Sequence, residues 1–273
     1  MDLLRAAILG IVQGLTEFLP VSSSGHLILV PALFNWPDQG LAFDVGLHLG
    51  TLCALLVYFW RDWYQMFTVG TVDFVRYRFG FRKHRFDSQM LWLIALGSIP
   101  AALVGALFNG WIEAHVRQPW LVAISLAVVG TILFVADRYG RRERPLTSLG
   151  LVDAVLIGLA QACALLPGVS RSGATMSTAL FRGFTRDASA RYAFLLGTPA
   201  FIGAAVLKSK DLAAESNAQL GDLAVGFAFS AIVGFLAISF LMRYVRTKSL
   251  LPFVIYRYGV AVLTLVIGAI RIA

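Results

Sequence analysis

Two clusters of polar residues interrupt apolar stretches of this 273-residue chain, and their side chains are of the kinds that handle phosphate. The first begins at Gln13, four residues before Glu17, so both side chains share a helix face, and it continues through Ser22, Ser23, Ser24, Gly25 and His26. Glu17 is a carboxylate in an apolar run, where an ionisable group is costly enough to mark function. The plainer alternative is a carboxylate that reaches headgroup water. The serines, the glycine and the imidazole fall where a new helix should begin, and helix N-termini expose N–H groups that seat anions. Taken alone, that cluster is also what a serine cap on an ordinary helix looks like. The second cluster is Ser170, Arg171, Ser172, Gly173 and Thr175, which follow Pro167 and Gly168. It repeats the hydroxyl and glycine pattern and adds a guanidinium whose planar fork suits bidentate phosphate binding. An arginine at membrane depth needs an anionic partner, and Glu17 alone would make the two a structural ion pair.

The elements that must hold these clusters are membrane helices. With 58% apolar and 14% charged residues and a mean hydropathy of +0.76, the chain departs far from soluble domains, which carry about 25% charged residues. The net charge of +8 sits mainly between apolar runs, which points to membrane topology and not to a nucleic-acid partner. Cys53 and Cys163 lie in apolar segments without metal or disulfide spacing and read as small buried apolar residues. The N-terminal run, interrupted by Gln13, Thr16 and Glu17, does not read as a signal peptide. Six segments have the length and apolarity of spans: Phe43 to Trp60, Gln89 to Asn109, Trp120 to Ala136, Tyr192 to Leu207, Leu223 to Met242 and Pro252 to Ile270. The stretches 6–34 and 154–181 are too interrupted to cross, and each reads as a re-entrant hairpin with a polar turn at membrane depth.

Sliding the chain by 148 residues pairs Gly10 with Gly158, Gln13 with Gln161, Ser22 with Ser170, Ser24 with Ser172 and Gly25 with Gly173. A shift of 147 pairs Leu49-Gly50-Thr51 with Leu196-Gly197-Thr198. Each half is one hairpin plus three crossings, so the halves run in opposite senses. The expected fold is therefore all-α: a polytopic membrane protein with six transmembrane helices and two re-entrant helical hairpins in an inverted-topology repeat. It forms a single membrane domain over 1–273, with repeats at about 1–140 and 150–273. The loops 61–88, 137–152, 182–191 and 243–251 hold 16 Lys and Arg against five on the other side, Arg5, Arg117, Lys208, Lys210 and Arg271, so both termini lie outside.

Other polar residues carry less. His48, four after Asp44, could line the cavity or make a packing hydrogen bond, and Arg257 reads as snorkelling to the cytoplasmic interface. No P-loop, zinc-protease, paired-cysteine or nucleophile-elbow motif is present. The lipid phosphatases of the phosphatidic-acid type need a downstream histidine, and none follows His115.

The segments Gln13-Gly14-Leu15-Thr16-Glu17 through His26 and Pro167-Gly168-Val169-Ser170-Arg171-Ser172-Gly173-Ala174-Thr175 resemble the two signature motifs of the bacitracin-resistance type undecaprenyl-diphosphatases. The resemblance runs over essentially the full length. It implies a multi-pass enzyme of the bacterial inner membrane that takes the terminal phosphate from a polyprenyl diphosphate lipid, recycles the carrier for peptidoglycan synthesis and confers bacitracin resistance. It also implies that Glu17 is the essential acid, that Ser22 and Ser23 supply hydroxyls, and that His26 transfers a proton. Arg171 with Ser170, Ser172 and Thr175 would bind the diphosphate, alongside Ser24, Gly25 and Gly173. A divalent cation, Mg2+ or Ca2+, is implied with Glu17 as its ligand, and Gln13 stands at the family's other acidic position. Catalytic duty is thereby expected of Glu17, Ser23, His26 and Arg171, with either Ser23 or a positioned water as nucleophile. Homodimer formation is left open, and no nucleic acid is expected. The competing class is a secondary transporter or flippase for a lipid phosphate, which also uses inverted repeats and broken helices.

Overall fold

A computed structural model describes residues 2–37, 39–78, 80–116, 118–207 and 217–272. Eleven helices account for most of them: α1 (Leu3–Phe18), α2 (Ser23–Leu33), α3 (Leu41–Tyr58), α4 (Trp60–Tyr77), α5 (Phe86–His115), α6 (Pro119–Tyr139), α7 (Leu151–Cys163), α8 (Arg171–Phe181), α9 (Arg186–Leu207), α10 (Asn217–Tyr244) and α11 (Leu251–Ile272). Among the described residues the only extended pairing is one isolated bridge, Arg144 to Phe184.

The helices break where the two polar clusters lie. α1 stops at Phe18 and α2 starts at Ser23, and in the same way α7 stops at Cys163 and α8 starts at Arg171. Both restarts are capped alike. Ser22 (φ 76°) accepts the Gly25 N–H at 3.4 Å, and Ser170 (φ 70°) accepts the Gly173 N–H at 3.1 Å. Two non-glycine residues thus sit in left-handed backbone at matching places, a strained geometry that concentrates at functional turns.

Three helical stretches are long and apolar enough to cross a bilayer, Phe86–Phe108, Pro119–Tyr139 and Leu220–Tyr244. The pair Ala42–Tyr58 and Trp60–Tyr77 joins them as one bent unit. The surface is apolar as well. Leu107, Ile232, Leu236, Val262 and many like them point outward, as they do when the surrounding solvent is lipid and not water. The chain is a polytopic, all-helical membrane protein. Cys53 and Cys163, expected to be buried, are exposed on this outer surface, because in a bilayer a small apolar residue suits the outside as well as the core.

Without a strong hydrophobic force between helices, close backbone approach does much of the packing. α1 lies on α10 through Gly10 and Gly14, where a Cβ would come within 2.5 Å of Gly226 O and 2.7 Å of Gly234 N. α7 lies on α5 through Gly158, whose Cβ would fall 2.2 Å from Gly97 O. An aromatic core of Phe18, Phe194 and Phe59 ties α1 and α9 to the junction between α3 and α4, where Phe59 lies.

Two further expectations need correction. The segment 61–88, read as a loop, contains α4, bent 69° from α3. Its polar residues hid a helical stripe, Met66, Gly70 and Asp73, that is buried; Gly70 packs against Leu91 of α5, and Asp73 accepts the Arg85 N–H at 2.7 Å. Arg257 does not snorkel. It is fully buried, with its guanidinium surrounded by five backbone carbonyls, those of Pro20, Gly168 and Val169 in the turns and of Ser125 and Leu126 in α6. The basic loops are themselves braced: Asp153 pairs with Arg144 and Arg182, each at 2.7 Å, Asp137 pairs with Arg186, and Asp62 with Arg191. Of the five basic residues expected on the opposite side, Arg117, Lys208 and Lys210 lie outside the described residues.

Candidate active site

Glu17 is at the centre. It occupies the last turn of α1, is buried, and gathers donors from four helices. Its Oε1 takes Arg171 Nη2 at 2.9 Å, while Oε2 takes Gln13 Nε2 at 2.8 Å and the Ser23 hydroxyl at 2.5 Å. His48 Nε2 of α3 stands 3.4 Å from the same Oε2, an ion pair when the imidazole is protonated. Burying a carboxylate is tolerable only with this degree of satisfaction. The Ser23 contact lies at the short end of the range for a hydroxyl donating to a carboxylate, an arrangement in which the carboxylate can take the proton.

Arg171 enters from the second cluster. Its Nη1 donates to Gly197 O at 3.0 Å, and its guanidinium carbon lies 3.7 Å from the centre of the Phe201 ring. A Cβ at Gly197 would come within 2.5 Å of Nη1, so this glycine is what leaves room for the fork. Thr175 donates to Arg171 O at 2.7 Å, which fixes the first turn of α8, and Ser172 donates to Leu19 O at 3.2 Å, which ties that turn to the first cluster. Ser22 with Ser24 and Ser170 with Ser172 make matching hydroxyl pairs, both at 3.3 Å. Gly25 and Gly173 occupy the third position of each helix, where they supply the capped N–H groups.

His26 faces elsewhere. Its Nδ1 meets Ser22 O, an acceptor only, at 2.7 Å and therefore donates, which leaves Nε2 to accept from the Tyr256 hydroxyl at 2.8 Å. The two rings stack with centroids 5.6 Å apart. The structure thus brings Glu17, Ser23 and Arg171 into direct contact, adds His48, and holds His26 one helical turn away against α11.

This arrangement can receive an anion between two capped helix N-termini, grip it with Arg171 and present an activated hydroxyl to it. A family model described as "Bacitracin resistance protein BacA" matches residues 6–263. The chain belongs to this family. It is 44% identical over 271 residues to the undecaprenyl-diphosphatase of Moorella thermoacetica, covering 99% of this chain and 100% of that one. The Geobacter sulfurreducens undecaprenyl-diphosphatase is 47% identical over 260 residues, covering 94% and 95%, and that of Thermobifida fusca is 42% identical over 272, covering 97% and 90%.

Several residues of this BacA-family centre escaped the reading of the sequence. Gly197 had a visible signal, since Leu196-Gly197-Thr198 matches Leu49-Gly50-Thr51 across the repeat, but the reason for the glycine appears only once Arg171 lies over it. Phe201 and Tyr256 are ordinary aromatics in apolar helices and gave no signal. His48 was noticed and weighed as a packing residue. Its Nδ1 does make a packing bond, to Asp44 O at 2.7 Å, and that same bond aims Nε2 at Glu17.

Proposed function

We propose that this protein hydrolyses undecaprenyl diphosphate to undecaprenyl phosphate and inorganic phosphate, recycling the lipid carrier of wall synthesis and conferring bacitracin resistance. Family membership and the printed names of the relatives support the substrate, and the 2.5 Å contact from Ser23 to Glu17 beside Arg171 supports the chemistry. In this reading Ser23 Oγ attacks the terminal phosphorus and its proton passes to Glu17 Oε2. The anhydride P–O bond breaks with its electron pair on the bridging oxygen, and undecaprenyl phosphate departs. Water then hydrolyses the phosphoserine and releases inorganic phosphate. Arg171 and the two turns stabilise charge on the phosphate oxygens. A hydroxyl held against a buried carboxylate beside an arginine favours an enzyme over a carrier.

A divalent cation fits this centre in a limited way. Among the described residues no three His, Cys, Asp or Glu side chains gather to hold a metal, but Gln13 Oε1 is buried without a partner beside Glu17. Glu17 and Gln13 Oε1 would hold the ion, with phosphate oxygens completing its shell, as Mg2+ sites with few protein ligands are built. When bound, it would neutralise phosphate charge.

The isoprenoid has a suitable neighbour. An apolar cavity of about 220 Å3 between α2 and α11 is lined by Leu29, Leu33, Val260 and Leu263 together with His26 and Tyr256. The test is release of phosphate from undecaprenyl diphosphate by the purified protein in detergent, where transport cannot be scored. The wild type should turn over and Ser23→Ala should not, and wild-type silence would overturn the assignment.

The membrane arrangement belongs to the same reading: six crossings of the bacterial inner membrane, two re-entrant hairpins, both termini outside and a cavity that opens outward. The balance of basic loops supports it. In a Cys53→Ala, Cys163→Ala background, a cysteine at exposed Ser148 should be shielded from an impermeant thiol reagent in intact cells, and one at Asn217 should react. The reverse pattern would invert the topology.

A further inference from the structure

Among the described residues, Arg257 is the one buried arginine or lysine that the proposed chemistry leaves unused, and its surroundings are specific. Nε donates to Leu126 O at 3.0 Å and Nη1 to Pro20 O at 3.1 Å. Nη2 reaches Gly168 O, Val169 O and Ser125 O at 3.0, 3.2 and 3.4 Å. Gly130 of α6 lies against the side chain, and a Cβ there would fall in ordinary contact with Nε at 3.5 Å.

Two features of this set stand out. The carbonyls come from both turns and from the helix between them. Pro20 lies two residues before the Ser22 cap, and Gly168 and Val169 directly precede the Ser170 cap. A trans peptide points its N–H opposite its C=O, so holding Val169 O against the guanidinium turns the Ser170 N–H to the far side of the turn. One side chain therefore sets the peptide orientation at the entrance to both helix N-termini and fastens both to α6. The second feature is charge. None of the five partners is a carboxylate, and Glu17 is already paired with Arg171. A Cβ on Gly173, in the first turn of α8, would lie 3.4 Å from Arg257 Nη1, so this uncompensated charge sits directly beneath that N-terminus.

We propose that Arg257 is a positioning residue that locks the two phosphate-seating turns in one register and supplies standing positive charge beneath them, answered by the diphosphate of the substrate. Carbonyl oxygens alone meet its hydrogen-bonding needs but leave its charge unbalanced, which is tolerable in a buried site that awaits an anion. The proposal rests on the reading of this centre as a diphosphate site.

The experiment separates the two functions of the side chain and also separates this proposal from that reading. Full-length protein in detergent is titrated calorimetrically with methylene diphosphonate, a non-hydrolysable diphosphate, and turnover of undecaprenyl diphosphate is measured in parallel. Arg257→Gln, which keeps polar reach without charge, should weaken the Kd for the diphosphonate at least tenfold. Arg257→Lys, which keeps charge without the fork, should hold Kd within threefold while kcat falls at least tenfold with KM little changed. A merely structural residue would show lower thermal stability in both variants without this division between binding and turnover. A Kd for Arg257→Gln within twofold of wild type overturns the proposal, as does wild-type kcat in Arg257→Lys. Should Arg257→Gln not fold, the lysine variant decides alone. Diphosphonate binding by a wild type that fails to hydrolyse the lipid would remove the proposed activity and leave the anion seat standing.

Discussion

Glu17→Gln should give a folded protein that releases phosphate at least about 10³-fold more slowly than wild type, within the range that loss of a positioned general base produces. Glutamine keeps the volume, and its amide oxygen can still accept one of the hydrogen bonds that now converge on the carboxylate from Gln13, Ser23 and Arg171. What disappears is the capacity to take the Ser23 proton and the charge that Arg171 answers. Breaking a fully buried ion pair costs about 3–5 kcal/mol. Arg171 retains Gly197 O and the face of Phe201, so the variant should lose less than that and remain folded. Phosphate release and the thermal transition of the purified variant check both halves of the statement. Turnover within tenfold of wild type would make Glu17 a structural residue.

Arg171→Lys should lose about 10²-fold or more in kcat/KM, the scale on which removal of one preorganised donor is felt in an active site. An ammonium supplies the charge but cannot span Glu17 Oε1 and Gly197 O at once, and it lacks the flat surface that lies on Phe201. Gly197→Ala tests the same slot from the other wall without altering the arginine, because the new methyl would occupy the space now filled by Nη1. The two variants should fail in the same way, through weaker grip on the diphosphate, with KM rising. Near wild-type turnover in Arg171→Lys would show that charge alone suffices.

The centre was legible in part because its polar residues stand out against an apolar background. Glu17, the Ser22 to His26 cluster and Arg171 were conspicuous for that reason, and the 148-residue self-match located both helix breaks. Residues that serve the centre through shape were not legible. Gly197 matters for a space and Phe201 for a face, and neither property is visible until two helices distant in sequence are placed together. α4 was obscured because its arginines and aspartates read as a solvated loop, although its buried stripe repeats at helical spacing. Arg257 was misread because its position near the end of a span suggested an exit to water, whereas the turns that receive it are built from segments more than 80 residues away. In a membrane protein the pattern of apolar residues reports less about the interior, since lipid and core accept the same side chains.

The paired serine caps show how one chain came to hold an asymmetric centre. Under the 148-residue displacement Ser22 and Ser170 correspond, and so do the flanking serines and glycines, but the residue between them differs: Ser23 in the first half stands where Arg171 stands in the second. Glu17 likewise corresponds to Leu165, and His26 to Ala174. Two copies of the first half would bring together two acids and no cation, and two copies of the second would bring together two cations and no acid. These three differences place the acid and the Ser23 hydroxyl on one side of the centre and the guanidinium on the other, while the caps stay alike. The repeat presents the scaffold twice, and hydroxyl, acid and cation meet only because the two copies are not interchangeable.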